Sequence, residues 1–538
     1  MAMRSETIVA AGDAVPETVA PLAAPVSPGW RRFVTPTFFD LIVVALPIWF
    51  FGLADGGTGL LMSDGDTGWH IRTGDWILQH WSFVYQDIFS FTKPGAPWFA
   101  WEWLTDVQLS VLHSALGVKG ILMFGIVLAS LFCGLLFRHM VWRGANVFVA
   151  LPLALVGFGA ATVHLLARPH LWTMVLVAAS VWLIQRDLRS PTRWIWMLLP
   201  VTAVWTNLHG GWLALVSILG LVSVGTAFEA MLGESPWRVA RRYLVLAAGC
   251  FASSLVNPYG WRLHAHMLEY LSADWIRELV GEFKSPSFRS ENMAQFEWIM
   301  LGALLAAGLS LRRRRFVAPL LILFWAHSSL TSARHIPLFV AVSLPFLADE
   351  IQTLWNYLTN GATRNSTPAI LQSLAEEAQS GIGRMSVWAV IPFLVVASPL
   401  LSIPWPKDFP ALRFPVGMVA RHQELLSRSR VYTEDQWADY LIYKLSPRVS
   451  VFFDGRSDFY GEKLSREYCD LMNATFQWRQ LLAKYRFDAA LIRPGCALAA
   501  VMKESPDWRV VDDDTKGILF VRAKPSLEKV DGGANEKP

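Results

Sequence analysis

Eleven apolar stretches constrain this chain more than any single motif. They run near 38–54, 119–137, 147–163, 169–185, 194–206, 211–229, 243–256, 296–311, 316–331, 336–355 and 386–403. A helix crossing a hydrocarbon layer needs about 20 apolar residues, and a soluble core cannot hide so many such stretches. Composition agrees, with 53% hydrophobic and only 17% charged residues, where soluble domains carry about 25%. Twenty-six tryptophans against eleven tyrosines suit a bilayer boundary, where an indole has one wet edge and one apolar face. The predicted fold class is mainly α: a polytopic membrane helical bundle of about eleven spans. A net charge of +4, with no basic run interleaved with aromatics, argues against nucleic acid. Four cysteines without a CxxC spacing exclude a disulfide scaffold or thiol metal motif. No GxGxxG, P-loop or nucleophile-elbow serine is present, so a nucleotide site or catalytic triad has no support.

Arginine placement sets the expected orientation. Arg138 and Arg143; Arg186, Arg189 and Arg193; Arg238, Arg241 and Arg242; and Arg312 to Arg315 occupy alternate loops, which the positive-inside rule makes cytoplasmic. The expected organisation is a disordered cytoplasmic tail (1–37), a membrane domain (38–403), a periplasmic domain (404–524) and a polar tail (525–538). The periplasmic part reads as α/β, with strand-like VYT, RVSVFFDG, DAALIR, WRVV and GILFVR around a helical GEKLSREYCDLMNATFQWRQLLAKY. Cys469 and Cys496 both fall in it and are candidates to pair in an oxidising compartment. Two long outer loops (55–118 and 257–295), turns around Arg168, His209 and Arg334 and the C-terminal domain then face outward, which puts every histidine except His139 on or near the outer side. A transporter needs ionisable residues near the midplane of its spans. Here Asp40, Glu229, Asp349 and Glu350 sit at inner ends, which disfavours that class.

The first outer loop is the sharpest signal. SDGDTGWHIRTGDWIL, from Ser63, places two acids before a helical pattern with Trp69, Thr73, Trp76, Ile77 and His80 on one face; WEWLTDVQLSVLHSALG, from Trp101, forms a second helix. Both are expected to be interfacial helices. They hold Asp64, Asp66, Glu102 and Asp106 at the water boundary, where an apolar wall disfavours the charged carboxylate and raises its basicity. That is the property of a general base for a sugar hydroxyl. The competing reading of Asp66 is a helix N-cap, worth about 1 kcal/mol; that of His70 is a hydrogen-bonded structural group rather than a metal or phosphate ligand.

The pattern DGDTGWHIRTGDWIL followed by DIFSFTKPGAPWFAWEWLTDV, with many further spans and an outer C-terminal domain, resembles the GT-C superfamily of membrane glycosyltransferases. It also resembles the first acidic motif of oligosaccharyltransferase catalytic subunits. The resemblance implies a polyprenyl-phosphate or polyprenyl-diphosphate sugar donor, transfer at the outer face of a bacterial-type inner membrane, and Asp66 at the catalytic acidic position beside Asp64 and Glu102. The second acidic motif of oligosaccharyltransferases has no counterpart here. A divalent cation is therefore an open question, with Asp64, Asp66 and His70 its candidate ligands.

ARPHLW, NLHGGW, NPYGWRLHAH and SARHIP lie at outer span ends. A guanidinium there suits bidentate contact with phosphate, which makes Arg168, Arg334, Arg262 and His170 candidate donor-phosphate ligands and His209 and His335 lesser ones; the alternative is snorkelling to lipid headgroups. DQWADYLIYKL is similar to the tryptophan–aspartate motif with which oligosaccharyltransferases grip an acceptor. That makes Trp437, Asp439 and Tyr440 candidate acceptor contacts, unless Trp437 is core. Asp454, Arg456 and Asp458 in FFDGRSDFYG read as an internal salt-bridged turn. The acceptor class (glycan, lipid or protein) stays open. The rival function is a non-catalytic assembly or docking subunit of a surface-polysaccharide system.

Overall fold

The computed structural model describes residues 31–523 apart from 38, 41–44, 47–56, 291, 364, 380–385, 392–393, 395–397 and 399–404. The expected first span, last span and both tails lie wholly or mostly outside the described residues. Among those described, six helices are long and apolar enough to cross a membrane: Val118–Arg143, Val147–His164, His170–Arg189, Trp212–Met231, Met293–Arg312 and Ala333–Thr359. Among the described residues the expected count of eleven is not confirmed. The stretch at 194–206 is a 3-10 turn, Arg193–Met197, running into the helix Leu198–Leu208, whose 11 residues span only about 16 Å. The stretch at 243–256 is the apolar end of Trp237–Ser253, and Val317–Thr331 is a shorter apolar helix. An apolar run shows that a segment avoids water; packing on neighbouring helices satisfies that as well as lipid does.

The arginine-bearing loops gather at one end of the bundle. Arg143 pairs with Asp349 and hydrogen-bonds Gln185. Arg242 holds Asp187 through bonds of 3.0 and 2.9 Å, and Arg313 grips Glu350. Asp349 and Glu350 are two of the acids whose positions at inner ends disfavoured a transporter.

At the opposite end the first loop and the C-terminal region are built into each other. The helix Thr67–His80 lies between the helices Trp103–Leu116 and Asp435–Leu445. Two glycines allow that approach: a Cβ on Gly74 would fall on the carbonyl oxygen of Asp106, and one on Gly68 on the backbone of Asp439 and the Cβ of Tyr443. Of the face expected to be apolar, Trp69, Thr73 and Ile77 are buried while His80 is exposed.

The C-terminal region carries a four-stranded sheet in the order β1 (Val431–Thr433), β2 (Ala489–Ile492), β4 (Ile518–Arg522), β3 (Trp508–Asp513), with β1 and β2 parallel and the other pairs antiparallel. RVSVFFDG does not form the expected strand; Val451 alone makes bridges, to Val431 and Ser90. That pairing is completed by Val451 N–H to Phe89 O at 2.9 Å and Phe91 N–H to Val451 O at 3.0 Å. Beneath it Arg456, 2% exposed, bonds Asp454 and reaches Asp87 at 2.8 Å, with its guanidinium 4.4 Å from the Trp98 ring. Removing one partner of such a buried pair typically costs about 3–5 kcal/mol, so this ion cluster fixes the C-terminal region on the first loop. Asp458, expected in the same turn, instead faces His266 at 3.1 Å. Cys469 and Cys496 are free thiols, and Cys496 donates to the Met472 carbonyl at 3.2 Å.

Candidate functional site

Between the bundle and the C-terminal region lies a cavity of about 640 Å³, walled by the first loop, the turns at 164–170 and 209–211, the loop around Glu282, the start of the Ala333–Thr359 helix, and residues 453–458. Backbone bonds draw these segments together. Ala167 N–H donates to Leu61 O at 2.7 Å, and the Thr67 hydroxyl to Ala167 O at 3.2 Å. Pro169 then caps the His170–Arg189 helix, which leaves Arg168 on the turn facing the first loop. Glu282 sits on the 3-10 turn Gly281–Phe283, whose carbonyl at 282 accepts the Ser332 hydroxyl at 3.0 Å.

Four of these side chains form one centre. Arg168 Nη1 bonds Asp64 Oδ2 at 2.8 Å and Glu282 Oε1 at 2.6 Å, and Nη2 reaches Asp66 Oδ2 at 2.6 Å. Asp66 stands at the N-cap position but makes no side-chain capping bond, so its carboxylate is held for the cavity and not for the helix. Asp64 Oδ1 accepts the Asp66 N–H at 2.9 Å. Burial pushes the Asp66 carboxyl well above the usual carboxylate range against the opposing pull of Arg168. At Glu282 burial works the same way, but Arg168 wins and holds that acid below its ordinary value.

Asp439 lies behind Asp66. Its Oδ1 accepts the Gly455 N–H at 3.1 Å. Its Oδ2 and the Oδ1 of Asp66 are buried with no donor. Burial first and the Asp66 charge second raise Asp439. A Cβ on Gly455 would fall on Asp66 Oδ1. Trp437 and Tyr440 do not join this site. Both are buried in the C-terminal core, where Trp437 Nε1 donates to Arg413 O at 2.9 Å and the Tyr440 hydroxyl to Asp408 at 3.2 Å. The helix Asp435–Leu445 turns Asp439 toward Asp66 and these rings into the C-terminal core.

A second acid–base cluster stands on the same wall. Glu102 lies 3.5 Å from His70 Nε2 and 3.4 Å from His209 Nε2; burial raises it from 4.5 to about 7 against Arg168 and Arg334. His209 Nδ1 accepts the Gly211 N–H at 3.0 Å, so the ring proton sits on Nε2 and points at Glu102. Fully buried His70 bonds Asp106 through Nδ1 at 2.6 Å. Burial lowers His70 and raises Asp106. His70 is thus a link between two acids, Asp106 and Glu102. No group of three or more His, Cys, Asp or Glu side chains among the described residues is disposed to hold a metal ion.

The expected phosphate ligands separate. Arg334 lines the cavity with its guanidinium 4.5 Å from the Phe283 ring and pairs with no acid among the described residues. His170 also lines it, its Nε2–H donating to the His164 carbonyl at 2.8 Å. His335 is anchored through Nδ1 on the Ser328 carbonyl at 3.1 Å. Arg168 has both terminal nitrogens on acids, and Arg262 is exposed on the helix Trp261–Ser272 outside the cavity wall. Glu282, His164 and Tyr270 line the cavity without having been singled out. For Glu282 the only signal was an acid in the second long outer loop.

No protein-family model and no curated protein matches the chain. Among solved structures it is similar to the archaeal oligosaccharyltransferase AglB from Archaeoglobus fulgidus in complex with an inhibitory peptide and a dolichol-phosphate: TM-score 0.52, 12% identity, 85% of this chain and 69% of that one. At this identity the likeness is one of fold: the chain shares the fold of that oligosaccharyltransferase. The resemblance read from the first loop agrees with this likeness of fold. A further similar structure is ArnT from Cupriavidus metallidurans bound to undecaprenyl phosphate, at TM-score 0.47 and 12% identity over 90% of this chain and 98% of that one.

Proposed function

We propose that this chain is an inner-membrane glycosyltransferase that moves a sugar from a polyprenyl-phosphate or polyprenyl-diphosphate donor to a glycan, lipid or protein acceptor at the outer face. The observation that carries the reading is one cavity, in a GT-C fold, that sets ionisable groups against an apolar wall. Asp66 and Glu102 stand on one side; Met174, Leu213, Phe324, Trp325 and Leu338 stand on the other, with the unpaired Arg334 beside them. The apolar wall suits a prenyl chain, and Arg334 suits its phosphate. The acceptor hydroxyl oxygen bonds to the anomeric carbon from the face opposite the phosphate and gives its proton to Asp66. The carbon–oxygen bond to the phosphate breaks, and its electron pair leaves on the polyprenyl phosphate or diphosphate. A carboxyl of raised basicity, with Arg168 at 2.6 Å to hold its orientation, fits that step.

Asp66→Asn tests it. Asparagine is nearly isosteric, and no capping bond is at stake; its amide can donate to Asp439 while its oxygen accepts from Arg168. Folding should survive while transfer from a polyprenyl-linked sugar falls about 10²-fold or more, the scale for losing an acid–base group. The place of Glu102 in the same cavity, with its pKa raised to about 7, favours it as base should Asp66→Asn retain activity. If neither substitution matters, the docking-subunit reading takes over.

A further inference from the structure

The Arg168 guanidinium sits where acids from separate parts of the chain converge. Nη1 bridges Asp64 at 2.8 Å and Glu282 at 2.6 Å, and Nη2 holds Asp66 at 2.6 Å. Nε is buried with no partner among the described residues. Three carboxylates gathered this closely in a poorly solvated site repel one another, so the arrangement needs a positive charge at its middle. The divalent cation left open by the sequence does not fit this donor set. Asp64 and Asp66 each commit an oxygen to the guanidinium, and His70 is turned to Asp106 at 2.6 Å.

We propose that Arg168 takes the place of a divalent cation: it ties the first-loop acids to Glu282 and supplies the fixed positive charge of the centre, so that this site works without a metal ion. A guanidinium stays charged at every physiological pH and binds carboxylates in a directed, planar way. With both terminal nitrogens on acids, Nε remains for one ligand oxygen. If the glycosyl-transfer reading holds, on which only this consequence rests, that oxygen belongs to the donor phosphate. Arg168 then joins carboxylates to leaving group as a bridging metal would, and Arg334 grips the phosphate more fully. Arg168 is in that case a positioning residue for Asp66 as much as a phosphate contact.

The test reads ion binding on the purified full-length protein with Mn²⁺ as probe, followed by electron paramagnetic resonance and by thermal midpoint. Wild type should bind no Mn²⁺ at this centre and unfold at the same temperature in EDTA and in Mn²⁺. Arg168→Ala leaves the carboxylates around an empty place. It should bind one Mn²⁺ per chain at least tenfold more tightly than wild type and recover its lowered midpoint when Mn²⁺ is added; adding Asp64→Asn should weaken that capture at least tenfold. Should Arg168→Ala fail to fold, Arg168→Gln, which removes the charge and keeps an amide donor, carries the same comparison. Mn²⁺ binding by wild type that Asp64→Asn abolishes overturns the proposal, and so does a folded, charge-free Arg168 variant that captures no Mn²⁺. Because neither readout involves transfer, failure of the glycosyltransferase reading leaves this result standing, and the reverse.

Discussion

Replacing Glu102 with glutamine should flatten the pH dependence of stability. The carboxyl lies between His70 and His209 at 3.5 and 3.4 Å, with its side chain 14% exposed, and burial moves its pKa from 4.5 to about 7. At about 1.4 kcal/mol per unit the native state is disfavoured by roughly 3 kcal/mol once Glu102 is ionised. An acid whose folded value is raised contributes stability that is fully present below its unfolded value and lost as pH rises through the folded one. The window is therefore pH 4.5 to about 7. Glutamine does not titrate, so Glu102→Gln should lose about 3 kcal/mol less than wild type between pH 4.5 and 8. For a chain of this length that corresponds to about 3 °C in midpoint, taking ~2.1 cal/mol/K of unfolding entropy per residue. The assay is thermal unfolding of both proteins in one detergent at pH 4.5, 6, 7 and 8, with the quantity of interest the difference between their pH slopes. Parallel curves would refute the argument, because they would mean that Glu102 ionises in the folded protein as freely as in the unfolded chain.

Arg334→Ala should weaken binding of a polyprenyl-phosphate donor more than it slows turnover of bound donor, since a phosphate grip made equally in ground and transition states is uniform binding; direct donor titration against single-turnover rates checks this, and unchanged affinity would return Arg334 to a structural role over Phe283. Reporter fusions after Arg315 should be cytoplasmic and those after Lys407 periplasmic, as arginine asymmetry requires; a periplasmic signal at Arg315 would reverse the placement.

The membrane class and the first-loop acids were legible without coordinates, because both are local properties. Apolar runs report avoidance of water wherever they fold, and two acids ahead of a helical pattern mark that helix start. Which runs become full spans was not legible, since Leu198–Leu208 owes its burial to neighbouring helices and not to its own length.

Within the site, residue type pointed to Asp64, Asp66, Glu102, Arg168 and Arg334, all of which line one cavity. Their partners did not follow from type. An arginine at a span end reads alike whether it waits for phosphate or is already held by acids. Only the fold brings Glu282 to Arg168 across more than a hundred residues while leaving Arg334 without a carboxylate among the described residues. Likewise WADY reads as an aromatic platform until the helix Asp435–Leu445 is docked, and its twist buries both rings and aims Asp439 at Asp66. Sequence alone determined which chemical groups are present and which segments leave water. Tertiary structure decided which charges neutralise one another, because in a poorly solvated site the state of each group is set by whatever lies within a few ångströms, and that neighbourhood is assembled from distant parts of the chain.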